Sequence, residues 1–386
     1  MSSKRYFLIP ALLAIFCSGA LGEERRSLPV SDLETDEDGT PILRVTLHPL
    51  HGKGSPRSCR FALDTGTTMT ILDTSIPAAF FWDEHTFTEG TDVSGRPFEV
   101  PVVLIKRMEV AGMLRDGVPA VRMDLKGGML GRMQDVPVDG VLGMSSLKET
   151  RFVLDQKQRR LEWWGRRSKG GVALPIAYGQ AKLPLVMLRI HEREAACVLD
   201  TGMADGIGLP ASFRPPGRQG QPATLHGLSG LVSAGEILVI PRVEAPPGAW
   251  LEVPDHFQET QKIGYIGLEI WSAAPVCFDF ISNLAILEPG PGGGLPVQRG
   301  ADHRLPLCWD RSGPVPRLRV LLVKPGGPLE EAKAGDEIVQ VGPLKGKSLN
   351  RRNIQEWTAK RKAQVWTVLR DGRPLNIQVP PRSSSP

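Results

Sequence analysis

Leu63-Asp64-Thr65-Gly66 recurs as Leu199-Asp200-Thr201-Gly202 in one chain of 386 residues. From average residue usage, a chain of this length holds about 0.1 chance copies of Asp-Thr-Gly. Each copy ends an apolar, strand-like run, Phe61-Ala62-Leu63 in one and Cys197-Val198-Leu199 in the other. Two carboxylates held together can do what one cannot. Their like charges do not both ionise cheaply at close range, so the pair keeps one proton between them. One oxygen then takes a proton from water while the other gives one to a carbonyl. The neighbouring residues have matching duties. Gly66 and Gly202 let the backbone turn tightly and bring an N–H to the carboxylate. Thr65 and Thr201 carry hydroxyls on stiff β-branched side chains, placed to bond from one loop across to the other.

The elements that must position these loops also come twice. The first copy opens with the alternating run Pro41–Leu47 and the second with Leu183–Ile190, each followed by a turn and the strand that enters the aspartate. Later in each copy stand two apolar residues and a glycine, Val141-Leu142-Gly143 and Tyr265-Ile266-Gly267. Similar tails follow: Phe152–Asp155 and Arg160–Trp163 in one, Cys277–Phe280 and Asn283–Leu287 in the other. A repeat of about 136 residues is too long for a solenoid and predicts two related lobes about a pseudo-two-fold axis. Abundant glycine (42) and proline (34), with no long apolar helical repeat, favour a mainly β fold of short strands and turns.

With both tetrapeptides and both apolar-glycine motifs, residues 41–288 resemble a pepsin-like aspartic protease, in a compact form similar to the retroviral type. The resemblance implies a bilobal β fold with an N-lobe at 41–166 and a C-lobe at 167–288. It implies that Asp64 and Asp200 form a catalytic dyad that activates water, with no covalent intermediate, no metal and no cofactor. Thr65, Gly66, Thr201 and Gly202 would hold the loops. In that family a hydroxyl after Asp-Thr-Gly bonds the outer oxygen of the aspartate; Thr67 supplies it in the first copy, whereas Met203 stands there in the second. The proton is therefore expected to sit unevenly, on Asp200. A flap hairpin is expected over Thr91–Phe98, with its turn at Ser94-Gly95. Substrates would be extended polypeptides. The competing reading is an inactive peptide-binding protein using the same cleft.

Pro289–Gly294 reads as the core of a linker, placed at 289–302. Beyond it, strands are expected at Leu318–Val323, Glu337–Val341, Gln364–Arg370 and Leu375–Val379, a helix at Asn353–Lys362, and a hairpin at Asp371-Gly372. The segments Val320–Pro328 and Ala334–Val339 resemble an α+β PDZ domain of exported bacterial proteases, covering 303–381. The resemblance implies capture of a peptide C-terminus by backbone N–H groups in the loop before Leu318. That loop holds Pro314 and Pro316, which lack donors, so a positioning role carries equal weight.

Lys4 and Arg5 precede an apolar stretch too short to span a bilayer, and small residues follow, so 1–22 reads as a signal peptide. Export to the periplasm or outside the cell is expected, without stable membrane insertion after cleavage. Loss of Lys4 and Arg5 takes the formal charge from +5 to +3, too little to argue for nucleic acid. The acidic stretch 23–40 reads as a solvated leader, and the basic residues between Arg351 and Arg373 as a solvated face. Cys59, Cys197, Cys277 and Cys308 allow three full disulfide pairings, and the sequence does not choose among them.

Overall fold

A computed structural model describes residues 29–49, 54–91, 97–165, 171–190, 192–204, 206–214, 263–288, 307–321, 323, 329–358 and 363–380, with the backbone of the strands between 221 and 258. The expected signal segment 1–22 and linker 289–302 lie outside these residues. The fold is mainly β, with 52% strand and 11% helix. No helix among the described residues is long and apolar enough to cross a membrane.

Two eight-stranded sheets carry the duplicated sequence. The first runs in the order Glu34–Thr35, Pro41–Leu47, Arg57–Leu63, Gly140–Leu142, Thr70–Asp73, Met113–Met123, Pro97–Val110, Phe81–Thr91. The second runs Ala177–Tyr178, Pro184–Ile190, Arg193–Leu199, Gly264–Ile266, Ile207–Pro210, Ala249–Gln258, Glu236–Ala245, Gln221–Pro222. Position by position the strand order corresponds, with an added two-stranded hairpin, Leu225–Gly227 and Gly230–Val232, before Glu236–Ala245 in the second half. In both, the strand ending at the aspartate pairs in parallel with the short strand of the apolar-glycine motif: Leu63 opposite Leu142, and Leu199 opposite Ile266. Parallel pairing between strands so far apart in sequence requires a long crossover, supplied here by the meander that intervenes in each half.

A six-stranded sheet interleaves the tails of both halves. Arg151–Asp155 pairs with Val276–Asp279, setting Phe152 opposite Phe278. Their rings, 5.2 Å apart, join Trp163, Trp271 and Phe280 in one aromatic cluster. Aromatic contacts of this kind contribute about 0.5–1.5 kcal/mol each beyond area burial. The cluster thus ties the halves together below the paired loops.

The acidic leader departs from expectation. From Pro29 onward it is built in: Val30–Asp32 pairs with Arg160–Glu162 at the sheet edge, and Leu33 and Asp36 are buried. Trp163 Nε1 donates to Ser31 Oγ at 3.1 Å, and Asp36 Oδ1 accepts the amides of Asp38 and Thr40 at 3.0 and 2.8 Å. Hydrogen bonds, rather than an apolar stripe, hold this segment. Arg351 is likewise not solvated but 6% exposed. Among the described residues Cys59, Cys197, Cys277 and Cys308 are buried.

The C-terminal part forms its own sheet, in the order Leu307–Asp310, Arg317–Val320, Glu337–Val341, Gln364–Arg370, Arg373–Val379, with Leu344–Lys345 beside the third strand. The helix Arg351–Thr358 places Ile354 against a core of Leu318, Val341, Trp366 and Ile377. Asp371 and Gly372 both take positive φ (52° and 76°) between paired Arg370 and Arg373, as a tight two-residue hairpin turn requires.

Candidate active site

The two Asp-Thr-Gly loops meet, and each holds the other. Thr65 N donates to Thr201 Oγ1, and Thr201 N to Thr65 Oγ1, both at 3.1 Å. Each hydroxyl in turn donates to the opposite strand, Thr65 Oγ1 to the Leu199 carbonyl at 2.6 Å and Thr201 Oγ1 to that of Leu63 at 2.8 Å. Both threonines are fully buried. A buried hydroxyl left without these partners would cost about 1–3 kcal/mol, so the reciprocal set fixes the loop separation tightly.

The glycines permit the approach. A Cβ on Gly66 would lie 2.5 and 2.6 Å from the two Asp200 oxygens, and one on Gly202 would lie 2.8 Å from both Asp64 oxygens. Only a residue without a side chain fits on either side. Each glycine also donates its N–H at 2.8 Å to the aspartate of its own loop.

Each carboxyl lies against the glycine of the opposite loop, close enough for the charge of Asp64 to act on Asp200. Their surroundings differ. Thr67 Oγ1 donates to Asp64 Oδ2 at 2.5 Å, whereas Asp200 receives only the backbone N–H of Met203 at 3.0 Å, on the oxygen already bonded by Gly202. Burial pushes the Asp64 pKa upward, and the bonds from Thr67 and Gly66 hold it back. Burial pushes that of Asp200 well above the ordinary carboxylate range, and the charge of Asp64 adds to the push. The two environments differ in the direction that favours the protonated form on Asp200 over Asp64.

The loops rest on the apolar-glycine strands. Asp64 N donates to the Leu142 carbonyl at 3.2 Å and Asp200 N to that of Ile266 at 2.9 Å. Just beyond, Met144 N donates to the Thr67 carbonyl and Leu268 N to that of Met203, both at 2.8 Å. Several supports were not singled out from sequence. Thr70 is buried and bonds Ser145 and Ser146, under the first loop. Trp271 Nε1 donates to the Ile266 carbonyl at 2.7 Å, under the second. Thr68 Oγ1 reaches across to the Ala181 carbonyl at 3.1 Å. Ser145 stands two residues after Gly143 and Trp271 four after Gly267, so the duplication aligns neither with a like residue and gave no signal for them. The expected flap has its arms paired, Thr91 opposite Pro97, while its turn lies outside the described residues.

No protein-family model matches the chain, and no curated protein matches it. The chemistry open to the site therefore rests on its own atoms. Among the described residues, no group of three or more His, Cys, Asp or Glu side chains is placed to hold a metal ion.

Proposed function

We propose that the chain is an exported aspartic endopeptidase, pepsin-like or retropepsin-like, with a PDZ-like C-terminal domain. One observation carries the reading: two Asp-Thr-Gly loops grip each other through Thr65 and Thr201 and set each aspartate against the other loop's glycine. The matching strand order of the two sheets supports a bilobal fold. The small sheet with one helix and the Asp371-Gly372 hairpin supports the PDZ-like reading.

In the proposed reaction an extended polypeptide presents its scissile carbonyl to the pair. Ionised Asp64 takes a proton from the attacking water as the new C–O bond forms, and Asp200 gives its proton to the carbonyl oxygen. The product of this step is a neutral gem-diol. Its collapse breaks the C–N bond, the leaving nitrogen takes a proton, and one proton returns to the pair. The N–H of Gly66 and the hydroxyl of Thr67 spread the charge on Asp64 while it waits.

Cleavage of an unfolded protein by the wild-type chain, followed across acid to neutral pH, tests this. Asp64→Asn and Asp200→Asn are each expected to lower kcat by roughly 10²–10⁴-fold, the scale of positioned acid–base groups. Unchanged cleavage in either variant would sink the mechanism. Wild-type inactivity at every pH would favour the inactive peptide-binding reading.

A further inference from the structure

The acidic stretch Asp36-Glu37-Asp38 and the C-terminal domain, neither used by the dyad, meet in one buried cluster. Arg351 opens the helix Arg351–Thr358. Its Nη1 donates to Asp38 Oδ2 and to the Met133 carbonyl, both at 2.6 Å, and its amide donates to Glu37 Oε1 at 3.2 Å. Trp309 Nε1 donates to the other Glu37 oxygen at 3.2 Å. Beside them Arg311 donates to the carbonyls of Gly131 and Gln134. Asp135 Oδ1 accepts the Glu37 amide at 2.9 Å.

We propose that the C-terminal domain carries a site for an acidic peptide segment, built by Trp309 and Arg351 with Arg311 alongside, and that residues Asp36–Asp38 of the same chain are its resident ligand. The recognition is chemically one-sided. The domain offers an indole N–H, a buried guanidinium and a helix N-terminal amide, all donors, and the segment offers carboxylate oxygens. The site differs from end-on capture of a chain terminus, because it binds side-chain carboxylates and does not use Ser312–Pro316. It is independent of the protease reading.

Charge balance makes the docking pH-dependent. Four carboxyls (Asp36, Glu37, Asp38 and Asp135) face the guanidiniums of Arg311 and Arg351. Arg132, the Cys308 thiol and Asp310 border the cluster from the other elements packed there. Burial first, then neighbouring acids, raise Asp36 to about 8 and Glu37 to about 7. Docking favours the protonated form of both groups, which ionise at lower pH once released. The share of docking stability that these two groups carry is therefore fully present below their ordinary values of 3.8 and 4.5 and is lost as pH rises toward 7–8.

Amide hydrogen exchange on the full chain decides. Arg351→Gln and Asp38→Asn are each expected to raise exchange at residues 36–40, 131–135 and 351–354 by about tenfold or more, since breaking a buried pair strands its partner. Exchange at Phe61–Leu63 and Cys197–Leu199 should stay unchanged. In the wild type, exchange at the docked amides, corrected for its intrinsic pH dependence, should rise between pH 5 and 7. The rise is about tenfold per unit for each linked proton. In a chain with Asp36→Asn, Glu37→Gln and Asp38→Asn together, an added peptide with the sequence of residues 34–40 should restore protection at 351–354. The same peptide carrying Asp38→Asn should not. Unchanged exchange in both single variants, loss spread across the whole chain in both, or no response to the peptide would each overturn the proposal.

Discussion

At the scale of single residues, Thr67 and Met203 divide two otherwise matched half-sites. The Thr67 hydroxyl bonds Asp64, and among the described residues no side-chain hydroxyl bonds Asp200. The pH profile of kcat/KM should record this with opposite signs. In Thr67→Ala the pKa of Asp64 rises, because a bond to its charged form is gone. The acid limb then moves upward by roughly 1–2 pH units, the equivalent of about 1.5–3 kcal/mol for a hydrogen bond to a charged group. In Met203→Thr an added hydroxyl favours ionised Asp200, and the alkaline limb moves downward. Limbs that stay fixed, or that move the other way, would reassign the shared proton. This asymmetry was readable in sequence because the duplicated tetrapeptide aligns the residues that follow it. The reciprocal threonine bonds were also readable, since the repeat itself demands a symmetric partner for each hydroxyl. The cluster at Arg351 was not, because its partner Asp38 lies 313 residues away and no repeat links the two.

At the scale of elements, the apolar-glycine strands act as shelves under the loops. A Cβ on Gly143 would press on the Met69 carbonyl and sit 2.8 Å from that of Thr67, both backbone atoms that cannot rotate aside. Gly143→Ala should therefore shift the loop that presents Thr67. The expected loss is about 1–3 kcal/mol of stability, as for overpacking elsewhere, with a fall in kcat larger than any change in KM. Gly313→Ala is the matched control, since its Cβ meets nothing within 4 Å. Thermal unfolding and initial rates on both variants check the claim, and equal behaviour would remove the shelf from the argument. Strands with strong local patterns were legible to the residue: Glu337–Val341 and Gln364–Arg370 form where alternation and the Asp371-Gly372 turn place them. The six-stranded sheet was not. Its pairings, such as Phe152 with Phe278, join distant tails whose register no local signal encodes.

At the scale of the whole molecule, the leader decides how the chain can mature. Its polar composition hides a structural strand, because the buried positions Ser31 and Asp36 are satisfied by hydrogen bonds instead of apolar contact. Removal of everything before Thr40, as for a discarded propeptide, would strip the outer strand from the sheet that unites the two halves. It would also expose the edge at Arg160–Trp163 and take Asp38 from Arg351. A chain that begins at Pro29 is expected to match one that begins at Glu23, after the proposed signal segment. A chain that begins at Glu34 loses the Val30–Asp32 pairing, the buried Leu33 and the partner of the Trp163 indole. Burial of one leucine contributes about 1.5–3 kcal/mol and a buried hydrogen bond about 1 kcal/mol. The sum, at roughly 2–4 °C per kcal/mol for a large domain, lowers Tm by about 5–15 °C. Equal Tm and equal cleavage for the two truncations would return the leader to a disposable tail. Sequencing the N-terminus of the protein recovered from cells gives the complementary result: a chain that keeps the Val30–Asp32 strand should begin at or before Pro29.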